Sequence, residues 1–478
     1  MIQTSDYIAI LPELMLTLFG VAVMMAEPLL KPGASRRPLG LAALAGALAS
    51  VVATSYQAAH PGPGFFGMVQ VDAFSVFFHL LIAMIAALVI LSSLEYLEAE
   101  GIRAGEFYGL VLLGAVGMQL MSSAVELVLI FIALEISSIS TYVLAGFRKN
   151  VVASAESSLK YFLLGSFATA FFLYGVALMF GATGSTYIPA IADALRIGNV
   201  PPLAFVAVAL MFVGIGFKVA SAPFHVWTPD VYEGAPAPVV GLMSTAPKAA
   251  AFAVLARILF ATGAPGWFWL VWVSAALTMT LGNLGALVQS NVKRLLAYSS
   301  IAHAGYLLVA FTAAPELGIR AVLFYSAAYA AMNLGAFAVV SHLAGAGERY
   351  VTIDDYAGLG RRSPLLAATL TLFLLSLIGI PATGGFFAKF YVFAAALKSN
   401  LLWLTIIGLV NSAIAAYYYL RIIVVMYMHE ERQEMPPVRI PVPVAVVLAV
   451  SAAVTLYLGV LPGGVLAFAA QSASDLLP

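Results

Sequence analysis

MFVGIGFKVASAPFHVWTPD, residues 211–230, and LSLIGIPATGGFFAKFYVF, residues 375–393, decide how this chain is read. Each is an apolar stretch of membrane length that carries one lysine beside a helix-breaking sequence. Lys218 stands five residues before Pro223 and just after Gly214 and Gly216. Lys389 stands eight residues after Pro381, near Gly379, Gly384 and Gly385. An ammonium at membrane depth costs about 2.5–3.5 kcal/mol on insertion scales, so it implies a partner and a function. A helix broken at that depth implies backbone buried in protein or lining a wet cavity, because hydrocarbon cannot satisfy the freed amides. Two such breaks in spans of opposite direction imply inverted repeats with an ion or proton path between them.

Composition sets the class. Of 478 residues, 63% are hydrophobic and 9% charged, which excludes a soluble globular domain. Apolar runs of roughly 18–25 residues recur from end to end, each long enough to cross ~30 Å of hydrocarbon. The expected fold is all-α: a polytopic membrane protein of about fourteen transmembrane helices, with two inverted five-helix repeats and broken helices. N-terminal transmembrane helices fill 1–106, the first repeat 107–260, the second, inverted repeat 261–428, and a C-terminal transmembrane helix 429–478. The first apolar run, 7–26, lacks a basic leader and a small-residue cleavage site, and reads as a retained span. IPAIADALRI, within 183–200, has the apolar spacing of a short interfacial helix. The absence of cysteine excludes disulfides, iron–sulfur clusters and thiolate metal sites. There is no nucleotide, zinc-protease or serine-triad pattern in a usable context, and no nucleic-acid partner is expected.

Lys and Arg distribute unevenly between the loops. One set of alternate loops holds Lys31, Arg36, Arg37, Arg103, Arg148, Lys149, Lys293, Arg294, Arg349, Arg361, Arg362, Arg432 and Arg439. The other set holds Arg196, Arg320 and Lys398, plus Arg257 near a helix end. The basic set is expected on the cytoplasmic side, and an even number of spans then puts both termini on the opposite face.

Five ionisable residues fall inside spans and are the candidate proton-transfer residues: Glu135, Lys218, Lys248, His303 and Lys389. Lys248 directly follows Pro247, and Glu135 is about ten residues into its apolar run. A histidine with an ordinary pKa of about 6.5 suits proton exchange near neutrality. Burial favours a neutral lysine and a nearby carboxylate favours the charged form, so moving Glu135 relative to Lys218 changes that lysine's hold on a proton. The plainer readings are a packing carboxyl among Ser137, Ser138 and Ser140, snorkelling lysines, and a satisfied core histidine. His79, His225 and His342 receive no role from spacing, and Asp230 and Glu233 read as a polar rim.

These stretches also carry a resemblance. VDAFSVFFHLL, LIFIALEISSISTYVL, ESSLKYFLLGS, GFKVASAPFHVWTPDVYEGAPAPVVGLMSTAPKAA, NVKRLLAYSSIAHAGY and GIPATGGFFAKFYVF resemble the antiporter-like subunits of respiratory complex I. The chain is most similar to the subunit N branch of bacterial NADH–quinone oxidoreductase. Lysine at 389 and an end soon after the last span, without a long lateral helix, carry that narrower likeness. The resemblance implies that Glu135 and Lys218 form the input pair, that Lys248 is the central relay, that His303 is a bridge, and that Lys389 is the terminal residue toward the outer face. It also implies a translocase subunit of the bacterial inner membrane with no redox centre of its own. NADH, FMN, iron–sulfur clusters and quinone are then expected on partner subunits. The expected partners are a neighbouring antiporter-like subunit, small membrane subunits and the lipid bilayer. Two other functions fit the same residues: a cation/proton antiporter or membrane-bound hydrogenase subunit, and a passive scaffold whose buried charges are relics.

Overall fold

The computed structural model describes residues 3–31, 33–197, 200–263, 266–431 and 439–477. Arg432, counted in the loop bias above, lies outside the described residues. The chain is a bundle of helices. The N-terminal unit comprises α1 (Thr4–Ala9), α2 (Leu11–Ala26), α3 (Arg37–Gln57) and α4 (Ala73–Ala99), with a hairpin of β1 (Gly62–Gly64) and β2 (Val69–Val71) before α4. Then come α5 (Glu106–Ser123), α6 (Leu127–Ala145), α7 (Val152–Thr183), a short α8 (Ile188–Ile197), α9 (Pro202–Val219), α10 (Thr228–Gly234) and α11 (Ala237–Thr262). The second half holds α12 (Trp267–Leu287), α13 (Val292–Phe311), α14 (Pro315–Ala344), a one-turn α15 (Leu359–Arg362), α16 (Pro364–Ile378), α17 (Gly384–Lys398) and α18 (Leu402–Met428). α19 (Val442–Val460) and α20 (Gly463–Leu476) close the chain. The short helix expected at IPAIADALRI is α8; α20 was not anticipated.

Twelve helices among the described residues are long and apolar enough to cross a membrane. The sequence leads to an expectation of about fourteen; α5 and the α16–α17 pair are not among these twelve. Proline in the first turn starts α9, α11, α14, α16 and α19, where its missing N–H costs nothing. With no hydrophobic drive between helices in lipid, close approach has to come from small residues. A Cβ on Gly282 would lie 2.6 Å from Ala302 N, and one on Gly305 would lie 2.6 Å from Met279 N. Those two glycines let α12 and α13 pack backbone to backbone. α14 sits at the centre of the bundle, against α11, α13, α17 and α19.

Both expected breaks are present. After Lys218 the chain turns at Ala220, in the left-handed region with φ 61°, and resumes helix at Thr228. The freed backbone is met by protein. Thr278 Oγ1 accepts from Ala222 N at 2.8 Å, and Ser274 Oγ donates to Ala222 O at 2.8 Å, both from α12. Trp227 Nε1 donates to Phe217 O at 3.1 Å. The second break runs from Gly379, with φ 96°, to Thr383. There Ser376 Oγ accepts from Gly385 N at 3.1 Å. Every one of these partners removes a bare amide or carbonyl from the bundle interior, as membrane depth demands.

The charges sort to the two ends of the bundle. At one end Arg36 pairs with Glu27, Arg37 with Glu95 and Glu98, Arg294 with Asp230 and Glu233, and Arg362 with Glu431. Glu348 is the hub of that end, bonding Lys293 at 2.7 Å, Arg148 at 3.0 Å and Tyr96 OH at 2.8 Å. Asp230 and Glu233 thus form the polar rim expected of them. At the other end Asp6 Oδ1 accepts from Phe65 N at 2.6 Å and Asp475 Oδ2 accepts from Ala73 N at 3.2 Å, which places both chain ends together.

Candidate functional site

α9 ends in the first break, so Lys218 falls in its last turn, where a cation suits the partial negative charge of the helix terminus. Its side chain is 3% exposed. Lys218 Nζ donates to Ser138 Oγ on α6 at 2.9 Å and lies 5.8 Å from the centre of the Tyr161 ring. Glu135 is on the same helix as Ser138, three residues earlier, so the two are surface neighbours on α6. Among the described residues Glu135 makes no ion pair with Lys218; its Oε1 is enclosed and has no hydrogen-bond partner. The structure therefore puts Ser138 on the ammonium and Glu135 one turn away.

Lys248 follows Pro247 inside α11, where the proline removes one backbone hydrogen bond. Its Nζ donates to Ser300 O at 3.2 Å and to Ser300 Oγ, both on α13. A void of ≈ 10 Å³, about the size that admits one water, is lined by Lys248, Ser300, Ser326 and Tyr329.

From Ser300 the polar groups continue along α13. His303 is one turn on, and its Nδ1 lies 2.7 Å from Tyr325 OH. Its Nε2 lies 3.4 Å from Tyr419 OH, which is itself bonded to Ser299. Tyr306 is the next turn, with its ring centre 5.6 Å from that of His303. Asn283 and Tyr418 extend this network to the Tyr306 hydroxyl.

Lys389 Nζ sits 4.9 Å from the centre of the Tyr306 ring. It donates to Ile378 O at 2.8 Å and Ser412 Oγ at 2.8 Å. A cavity of ≈ 300 Å³ runs from Lys389 past Phe393 to Leu397 and Thr405, at the end of α17 and the start of α18. That end lies with the Ala314–Ser399 contact, remote from the basic rim.

Lys248, His303 and Lys389 are thus brought together around α13, while Lys218 and Glu135 lie together at the α6–α9 contact. The sequence reading missed their partners: Ser138, Ser300, Tyr306, Tyr325, Ser412 and Tyr419. The only available signal was the three-residue spacing of Ser300, His303 and Tyr306, which puts them on adjoining positions of one helix face. Among the described residues no group of His, Asp or Glu could hold a metal ion.

Residues 124–415 match the family described as NADH:quinone oxidoreductase/Mrp antiporter, TM. The chain is 66% identical to NADH-quinone oxidoreductase subunit N 2 of Koribacter versatilis, over 100% of this chain and 98% of that protein. It is 48% identical to NADH-quinone oxidoreductase subunit N 1 of Solibacter usitatus, over 99% of this chain and 98% of the relative. Among solved structures, a chain of respiratory complex I from Thermus thermophilus with bound aureothin superposes with a TM-score of 0.82 at 37% identity. That match covers 95% of this chain and 98% of the other. With identities of this size over its whole length, the chain belongs to the subunit N family of NADH–quinone oxidoreductases, within the NADH:quinone oxidoreductase/Mrp antiporter membrane proteins.

Proposed function

We propose that this chain is a proton-translocating membrane subunit of NADH–quinone oxidoreductase, and that Glu135, Lys218, Lys248, His303 and Lys389 carry the proton. The observation that supports the relay best is the continuous line around α13: Lys248 on Ser300, His303 one turn on, Tyr306 after it, and Lys389 over the Tyr306 ring. Lys218 takes a proton at Nζ from the basic-rim side, and movement of the Glu135 carboxylate alters how firmly it is held. The proton passes to the neutral amine of Lys248, and then by way of His303 and intervening water to Lys389. Lys389 releases it through the adjoining cavity. Release against a potential of 100 mV costs about 2.3 kcal/mol per charge. The hydroxyls of Ser138, Ser300 and Ser412 keep each lysine hydrogen-bonded in either charge state.

In this reading the two halves, 107–260 and 261–428, are inverted repeats. Each holds three continuous helices, one broken helix and a fifth long helix, with α9–α10 and α16–α17 in the same ordinal place. NADH, FMN, iron–sulfur clusters and quinone are held by partner subunits. A neighbouring antiporter-like subunit and small membrane subunits flank the chain in the bilayer. The test is Glu135→Gln and Lys248→Met, each in assembled complex within vesicles. Both are expected to lower the protons moved per NADH. Unaltered coupled pumping in both variants would leave the buried charges a scaffold role only.

A further inference from the structure

The N-terminal unit encloses a second titratable pair, remote in sequence from the relay. Glu13 on α2 is 3% exposed and His79 on α4 is 0% exposed. Gln57 on α3 and Gln119 on α5, also fully buried, complete the site, the first with its side chain and the second with its main-chain carbonyl. The neighbours set the hydrogen-bond directions here. Gln57 Nε2 donates to Ala9 O at 2.7 Å, which leaves Oε1 to face His79 Nδ1 at 3.0 Å. An amide oxygen only accepts, so Nδ1 carries hydrogen. Across the ring, Nε2 faces Gln119 O at 3.2 Å and Glu13 Oε1 at 3.4 Å. Among the described residues neither oxygen of Glu13 has a hydrogen-bond partner.

An ionised Glu13 beside a neutral His79 would leave one buried charge unpaired and would point the Nε2 lone pair at acceptors, which burial penalises heavily. Arg257, beside the unit, is itself paired with Asp72 at 3.0 Å. The arrangement is satisfied when one more proton lies between Glu13 Oε1 and His79 Nε2.

We propose that Glu13 and His79 form a proton-binding site in the N-terminal unit, separate from the five-residue relay and standing whether or not that relay does. With the proton on Oε1, a carboxylic acid donates to a neutral imidazole. With it on Nε2, a carboxylate faces an imidazolium. The transfer breaks one O–H bond and forms one N–H bond, and the pair has zero net charge in both states. In the second state Nε2–H also points at Gln119 O. That carbonyl accepts from Ser122 Oγ at 2.8 Å, and Ser122 O accepts from Arg257 Nε at 2.6 Å on α11, the helix that carries Lys248. A chain of hydrogen bonds therefore links this proton's position to α11.

The test is infrared difference spectroscopy of the purified, assembled complex between low and high pH, in H2O and D2O, for wild type, E13Q and H79Q. The E13Q amide matches the carboxyl in size and donates to Nε2, so the helices stay packed. Subtracting E13Q from wild type is expected to isolate a carboxyl signal that shifts in D2O together with imidazole ring bands, and H79Q is expected to remove both. Wild-type and E13Q spectra that superimpose across the pH range would overturn the proposal. So would a carboxyl signal unchanged in H79Q. If E13Q assembles poorly, the wild type minus H79Q difference carries the same test.

Discussion

Lys389 caps the half-helix that precedes it: its Nζ bonds the carbonyl of Ile378, eleven residues earlier and the last residue of α16. The ammonium therefore lies against the negative end of a helix dipole inside the bundle. Lys218 also lies in the last turn before a break, that of α9, but its Nζ bonds Ser138 Oγ on α6. The second break thus presents a helix C-terminus to its lysine. A cation held this way is stabilised without a carboxylate, and it is not locked into a tight ion pair when its proton leaves.

The second break depends on a close approach at Gly385. A Cβ there would lie 1.8 Å from Ser376 O, a backbone atom that cannot swing aside. Overpacking costs about 1–3 kcal/mol in ordinary cores, and this contact should sit at or above the upper end. Gly385→Ala is expected to lower the thermal stability of the detergent-solubilised complex and to cut its assembled yield. Melting temperature and yield measured beside wild type check this.

Ser138 is the hydroxyl that holds Lys218. A hydrogen bond to a charged group contributes about 1.5–3 kcal/mol, and each 1.36 kcal/mol is a factor of ten in rate. Ser138→Ala is expected to slow proton pumping by roughly tenfold, and Ser138→Thr to restore most of it. Initial rates of NADH-driven acidification in vesicles distinguish the two.

Glu348, in the loop after α14, ties the basic rim together. Burial pushes its carboxyl up, but the Lys293 ammonium and Arg148 guanidinium outweigh burial and hold it below its ordinary 4.5. A carboxylate held down in the folded state stabilises the fold fully above its unfolded value, and that contribution is lost as pH falls through the lower folded value. Breaking a buried pair costs about 3–5 kcal/mol. Glu348→Gln should therefore be strongly destabilised at pH 7, and the gap from wild type should close in acid. Thermal unfolding of both proteins across pH 3–8 reads the difference directly.

Much of this architecture was legible in the sequence, for reasons that can be named. Pro223 with Gly216, and Pro381 with Gly379 and Gly384, are helix-breaking signals, and helix stops at Val219 and Ile378 beside them. IPAIADALRI declared α8 by its apolar spacing. The lysines were visible because charge at membrane depth is costly. Their partners were not visible. Serine and tyrosine are common in membrane helices and cost little unpaired near other polar groups, so Ser138, Ser300 and Ser412 stand out only once helix rotation and packing are known. The Glu13–His79 pair joins residues far apart in the chain, and neither carries a local motif. α20 was missed because VLPGGVLAFAAQSASDLL follows the last strong apolar run and mixes small with polar residues.

The central claim is that a proton crosses by way of Lys389, and the most direct measurement is the number of protons moved per NADH in vesicles containing intact, fully assembled Lys389→Ala complex. Alanine can neither hold a proton nor release one against the membrane potential, while the redox chemistry assigned to the partner subunits stays in place. The account predicts a lower ratio, with quinone-linked turnover reduced wherever coupling is tight and NADH oxidation by artificial acceptors preserved. An unchanged ratio at normal turnover would contradict the account and remove Lys389 from the path.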